Sequence, residues 1–330
     1  MPVTQLADLT IVPSIFTRNM VLESLNLDQF IQSGVAVVDN DANAFLNGPI
    51  GGQTYNPRYI GPLADVDPNI SSDDPAVKST PNKITGVKNT AVRQSLNQSW
   101  SVMDLAVDLN GSDPVAVIQS QIAKYWLTVR QKRSLLSLKG VIADSVANHG
   151  GDMVTDLSAN TGAAALISAE AIIDARQQLG DHDSLLRGMA VHSVVLSTMR
   201  KLNLIDTIPY SRGEINMPTY LGLPLLVDDG MTVDTSGSDP LYYTHLFGPG
   251  AIALGYGSPK VPYEVKRDPD AGNGGGQETV FSRVECIIHP QGYRFGLSAT
   301  PTPAQLEAAA NWSRAWERKR IPLASIISKG

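Results

Sequence analysis

The 330-residue sequence contains a single cysteine, Cys286, which excludes an internal disulfide and fits a reducing compartment. That thiol lies in Val284-Glu285-Cys286-Ile287-Ile288, an apolar strand-like run with no neighbour able to lower its pKa. It reads as a small buried hydrophobe, not a nucleophile. No apolar stretch approaches the roughly 20 residues of a membrane span, and Met1-Pro2-Val3-Thr4 opens without the basic-then-apolar pattern of a secretory signal. The chain is therefore expected to be soluble, made in a cytoplasm and without a membrane partner. The sequons at Asn69, Asn97 and Asn311 then read as accidental. Positive charge is also short: a net charge of -6 and a pI near 5.4 exclude a surface that grips nucleic acid all round, leaving at most a local basic face.

Residues that could carry catalysis are present but not grouped. Asp181-His182-Asp183 falls in a polar turn, where a solvated loop is expected in place of a metal site. His192-Ser193 sets an imidazole beside a hydroxyl, yet a nucleophile and its base must meet in space, not in sequence. Ser193 is expected to cap the following helix. Gly272-Asn273-Gly274-Gly275-Gly276 looks like a phosphate cradle, but a strand-like Gln277-Glu278-Thr279-Val280-Phe281 follows where a helix N-terminus is needed, so a hairpin connection is expected. His149, His245 and His289 lack zinc-ligand spacing. No enzyme activity, cofactor or metal is expected; a soluble hydrolase using His192, Asp181 or the glycine loop is the alternative from a different class.

What the sequence does contain is a long helix. Asp113 offers a cap, Pro114 a preset φ at the first helical position, and His149-Gly150-Gly151 a stop, with only Gly140 and no proline in between. Ile118, Ile122, Tyr125 and Val129 recur at helical spacing along one face. At about 1.5 Å per residue such a helix runs roughly 50 Å. Its basic residues, Lys124, Arg130, Lys132, Arg133 and Lys139, read as a solvated face with ordinary ion pairs.

The hundred residues before this helix contain little that could fold alone. A short amphipathic helix is expected around Asn19 to Ile31, followed from Gly48 by two strand-like arms, Gln53 to Leu63 and Ile84 to Leu109, around a turn-rich tip. A lone two-stranded hairpin is marginal in water, so these arms must lean on a surface elsewhere. After the helix, strands are expected at Gly188 to His192, Leu223 to Val227, Tyr242 to Leu246, Ala251 to Tyr256, Val261 to Lys266 and Thr279 to Ile288. Helices are expected at Ala169 to Leu179, from Ser193 through Leu202, and at Pro303 to Arg320. Without a strict βαβ alternation, this favours α+β. The 42% hydrophobic content suffices for one main domain with appendages or two small ones.

Local wording adds a resemblance. Met189-Ala190-Val191-His192-Ser193 with Leu202-Asn203-Leu204-Ile205-Asp206, Tyr220-Leu221-Gly222-Leu223-Pro224-Leu225-Leu226-Val227-Asp228-Asp229, and Phe247-Gly248-Pro249-Gly250-Ala251-Ile252 occur in this order. Pro262-Tyr263-Glu264-Val265-Lys266-Arg267-Asp268 and His289-Pro290-Gln291-Gly292-Tyr293 follow. The chain resembles the HK97-fold major capsid proteins of tailed bacteriophages over nearly its whole length. The resemblance implies an N-terminal arm over 1–46, a hairpin E-loop over 47–109 and a peripheral domain with the spine helix over 110–157. It further implies an axial domain over 158–268, with return strands and a C-terminal helix of the peripheral domain over 269–330.

The function implied is an icosahedral shell around double-stranded DNA, assembled in a bacterial cytoplasm and ending in the virion. The partners implied are other copies in hexamers and pentamers, a separate scaffolding protein, a portal, a decoration protein and DNA held nonspecifically. An encapsulin-like shell around cargo enzymes is the alternative within the fold. Arg58, Lys78, Lys83, Lys88, Arg93 and Trp100 are the candidate inter-subunit contacts, and the five basic helix residues the candidate spine contacts. Isopeptide crosslinking is not expected, because no matching asparagine and glutamate align.

Overall fold

The computed structural model describes residues 35–49, 51–60, 63, 66–84, 86–104, 114–202, 205–208, 217–220 and 222–330. The expected helix around 19–31 and the Asp113 cap lie outside these residues, as does most of the N-terminal arm.

Two sheets organise the chain. The first has the order β1-β13-β15-β5-β2, with β14 beside β15. Its strands are β1 (Ala36–Val38), β2 (Thr54–Tyr55), β5 (Ala91–Met103), β13 (Ile252–Gly257), β14 (Tyr263–Asp268) and β15 (Gln277–Pro290). The spine of this sheet is β15. It pairs antiparallel with β5 from Gln277 opposite Met103 to Ile287 opposite Arg93, while β13 and β14 share its other edge. A short helix α1 (Asn40–Asn47), capped by Asp39, sets Ala42 and Leu46 against Ala91 and Ile287.

The second sheet runs β6-β18-β12-β7-β10-β9-β8, with β11 beside β12. It consists of β6 (Val154–Asp156), β7 (Gly188–Val191), β8 (Asp206–Ile208), β9 (Met217–Tyr220), β10 (Leu223–Val227), β11 (Val233–Asp234), β12 (Leu241–Phe247) and β18 (Leu323–Ser328). Its core includes Ile172 and Ala175 of helix α3 (Ala169–Gln177) and Val195 and Met199 of helix α4 (Ser193–Lys201). These pack on Met189, Val191, Leu225, Leu246 and Ile326 of the sheet.

The long helix, α2 (Pro114–Asn148), joins the two parts. It ends as expected: Gly150 and Gly151 adopt φ of 65° and 72°, and the Gly151 amide closes on the Ser145 carbonyl at 2.9 Å. The face it buries differs from the expected stripe. Tyr125 is 36% exposed and Ile122 only partly buried, whereas Trp126, Leu135, Leu138, Val141 and Ile142 are buried. The C-terminal half is enclosed on several sides, so a single apolar stripe does not describe it. Ser134 and Ser137 are buried with the apolar residues and satisfy their hydroxyls on the carbonyls of Arg130 and Arg133, one turn back.

The expected C-terminal helix over 303–320 is corrected. Only α5 (Pro303–Glu307) is α-helical, entered through a Thr302–Gln305 capping box. Ala308 then turns extended, and Trp312–Arg314 forms strand β17, paired with β16 (Tyr293–Phe295). The helical-looking apolar spacing is spent on separate contacts: Leu306, Trp312 and Ile321 each enter the core shared with α2. The final strand β18, with all six residues buried, pairs with β12 and β6 in the second sheet.

Two histidines are sealed in this framework. His245 Nδ1 lies 2.8 Å from Ser325 Oγ, and His289 Nε2 lies 2.7 Å from Asn89 Oδ1. Burial drives both pKa values down from 6.5 to about 4, so both imidazoles are neutral in the fold. The unfolded chain therefore binds more protons between these values, and stability is complete above about pH 6.5 and falls as pH drops toward 4. Each site is worth roughly 3 kcal/mol across that window. Urea denaturation of the subunit should show a midpoint falling steeply between neutral pH and pH 4.5; a flat midpoint would contradict the buried neutral pair.

Candidate assembly surface

The hairpin that precedes the long helix divides into a seated root and an exposed excursion. Its returning arm does not need a foreign surface, since β5 is an inner strand of the chain's own first sheet. At the root, Thr54 and Tyr55 pair with Val92 and Ala91, and Thr90 Oγ1 donates to Asn56 Oδ1 at 2.7 Å. Beyond it, β3 (Arg58–Ile60) and β4 (Gly86–Lys88) form a two-stranded pair on their own.

From residue 66 to 84 every described residue is exposed. Among the described residues only local bonds shape this stretch: Asn69 Nδ2 donates to the Thr80 carbonyl at 3.2 Å, and the Ala76 amide to Asp74 Oδ1 at 2.9 Å. Its apolar side chains face water, with Ile70 94%, Ile84 68%, Val77 60% and Val66 55% exposed. A 19-residue excursion of this kind gains nothing from the subunit that carries it.

The candidate contacts separate accordingly. Lys78, Lys83 and Lys88 are exposed on the excursion and its base; Arg58 stands opposite Lys88 in the β3–β4 ladder. Arg93 is instead bound within the chain, paired with Glu285. Trp100 packs edge-on against Tyr125 of α2, with ring centroids 5.3 Å apart.

The helix residues likewise do not form one solvated face. Lys132 is exposed and Lys124 half-buried, but Lys139 binds Glu307 at 2.8 Å and Arg130 sits 5.1 Å over the ring of Tyr256. Arg133 is the clear departure. Only 7% exposed, it donates from Nε to Gln94 Oε1 at 2.6 Å and from Nη2 to the Pro301 carbonyl, and burial lowers its pKa. It ties α2 to β5 and to the segment before α5, a role that a basic residue in a polar helix pattern does not announce.

The residues that suggested catalysis are occupied otherwise. His192, not Ser193, caps α4: its Nδ1 accepts from the Val194 amide at 3.2 Å. Ser193 turns to Asp229, whose carboxylate is held below its ordinary pKa by hydrogen bonds from the Ser193 side chain and amide. Asp181 binds Lys319 at 2.8 Å, and Asp183 binds Arg176 at 3.1 Å. Cys286 is buried, which pushes its thiol up to about 11. The glycine loop is a β14–β15 connection, with Gly272 and Asn273 at φ of 67° and 58°. Among the described residues no group of three or more His, Cys, Asp or Glu could hold a metal ion.

An α+β body with a long helix between two sheets and an exposed hairpin is the arrangement of solved phage capsids of the HK97-like fold. The capsid of Ralstonia phage GP4 matches with a TM-score of 0.57 at 10% identity, covering 92% of this chain and 91% of that one. The capsid of cyanophage Pam1 matches with a TM-score of 0.54 at 9% identity, covering 89% and 88%. Residues 66–321 match the Gp13-like family, described as major capsid protein 13-like. The major capsid protein of Bacillus phage SPP1 is 34% identical over 326 residues, 97% of each chain. The chain thus belongs to the Gp13-like family of major capsid proteins, structural components of the shells of tailed phages.

Proposed function

We propose that the chain tiles an icosahedral shell as hexamers and pentamers around double-stranded DNA, with residues 57–88 acting as the E-loop that lies over the long helix of a neighbouring copy. The observation that supports this is the excursion over 66–84, whose apolar side chains Val66, Ile70, Val77 and Ile84 are exposed. Contact with a neighbour buries them at about 25 cal/mol per Å². In the same reading the arm expected over 1–46 keeps its last part, β1 and α1, on its own subunit, and the second sheet with α3 and α4 forms the axial domain. The remaining partners follow from the role: a separate scaffolding protein guides closure, a portal occupies one vertex, a decoration protein binds the outside, and exposed basic residues such as Lys132 meet packaged phosphates without reading sequence. Assembly takes place in the host cytoplasm.

Electron microscopy of the purified protein, with and without a candidate scaffold, tests the reading. Closed shells that fill with nuclease-protected DNA are expected in infected cells. Shells filled with protein cargo would favour an encapsulin-like role, and a stable monomer with catalytic turnover would overturn a shell altogether.

A further inference from the structure

A cleft of about 200 Å³ opens where the hairpin leaves the first sheet, lined by Asp39, Tyr55, Asn89, His289, Gln291 and Trp316 among others. This is several times the roughly 30 Å³ that one water occupies. Asp39 divides its carboxylate between two tasks. Oδ1 caps α1, accepting from the amides of Asp41 at 2.9 Å and Ala42 at 3.3 Å. Among the described residues Oδ2 has one long contact, with the Tyr55 hydroxyl at 3.4 Å.

Among the described residues that line the cleft there is no lysine or arginine. The negative field there is felt by Tyr55, whose pKa is pushed up to about 12 by burial and then by the charges of Asp39 and Asp41. A carboxylate oxygen with spare accepting capacity, in a cleft that Tyr55 and Trp316 also line, suits a compact cation, which gains a charge-assisted hydrogen bond there. The complementary charge stands on the same chain, outside the cleft. Lys78 and Lys83 are exposed on the excursion, line no part of the cleft, and enter no ion pair with the described residues.

Resting on the reading of the excursion as an inter-subunit element, we infer that this cleft is a socket for the ammonium group of Lys78 or Lys83 from a second copy of the chain. Each subunit then offers both halves of the contact: lysines at the far end of the hairpin and the receiving carboxylate at its root. Such head-to-tail pairing propagates around a ring of subunits and closes with it.

Asp39→Asn tests this cleanly, because asparagine caps a helix about as well as aspartate while removing the charge. Shell formation by the full chain, followed by light scattering and sedimentation, should require roughly tenfold more protein at low salt, equivalent to about 1.4 kcal/mol per contact. The Lys78→Gln/Lys83→Gln variant should show the same loss, and combining it with Asp39→Asn should add little. An Asp39→Asn shell that forms like the wild type, or losses that add in full, would overturn the socket. Wild-type protein that forms no shell would instead overturn the reading beneath it. A second test does not touch the cap: in oxidised shells, Gln291→Cys with Lys78→Cys or Lys83→Cys should give disulfide-linked ladders. Ladders with neither pair would also overturn the socket.

Discussion

Replacing residues 67–83 with a short Gly-Ser linker is expected to leave a subunit that folds with an unchanged denaturation midpoint and no longer closes a shell. The two halves of this outcome rest on different observations. Stability should change by no more than about 0.5 kcal/mol, because the removed residues are exposed and bonded only among themselves. Assembly should fail because Ile70, Val77 and the residues around them are the apolar surface that a neighbour would cover. Burying two or three such side chains is worth roughly 5 kcal/mol, on the order of a thousandfold or more in the concentration at which shells form. A deletion taken as far as Gly51 to Ala91 would mix the two effects. Ala91 is 1% exposed in the core, and Asn89 holds the buried His289, so the wider cut unfolds the root as well as removing the tip. Circular dichroism and urea denaturation report on the fold, and sedimentation on the shell. A trimmed subunit that assembles normally would refute the role given to the excursion.

The second large effect is expected at Gly140. Alanine is the better helix former, by about 1 kcal/mol, so an isolated α2 would gain from Gly140→Ala. In the folded chain the new methyl would meet the Leu306 carbonyl at 2.1 Å and Trp312 Nε1 at 2.4 Å. Those same atoms are hydrogen-bonded to each other at 2.8 Å, and that bond ends α5 against the long helix. The helix pair must separate or the bond must break, at about 2–4 kcal/mol, so packing outweighs propensity and the net sign is destabilising. Gly51→Ala is the control, since a methyl there meets nothing within 4 Å. Thermal or urea denaturation of both variants should separate them clearly. A Gly140→Ala subunit as stable as the wild type would mean that α2 and α5 do not pack so closely.

Much of the architecture was legible because its signals are local. Pro114 and Gly150-Gly151 bracket the long helix whatever surrounds it, and the strands at Leu223 to Val227 and Thr279 to Ile288 carry enough β-branched and apolar residues to declare themselves. The region after Pro303 was misread for the complementary reason. Its apolar residues fall at helical intervals, yet each answers to a different tertiary neighbour, and an extended Ala308 breaks the run. Ser193 was misplaced by one position because histidine is a rare cap, and only the turn into α4 shows its ring nitrogen accepting the Val194 amide.

The candidate contacts show the same division. Exposure of Lys78, Lys83 and Lys88 follows from a turn-rich stretch with no apolar periodicity, which needs no fold to be inferred. Arg93 and Arg133 looked equivalent to them in sequence, but pairing across the sheet with Glu285 and burial against Gln94 turned both inward. Charge alone does not tell a solvated cation from one enclosed by long-range contacts.

By itself, then, the sequence determined a chain with one inert thiol, a long helix bracketed by Pro114 and Gly150-Gly151, and a hairpin whose turn-rich tip carries no apolar periodicity. These properties depend on residues within a few turns of one another. Only the tertiary structure decided which face of the helix is buried, that β18 crosses into the second sheet, and that Asp39 and Tyr55 meet at the hairpin root. Each of those joins residues far apart in the chain or depends on which surfaces meet, and no local pattern records such meetings.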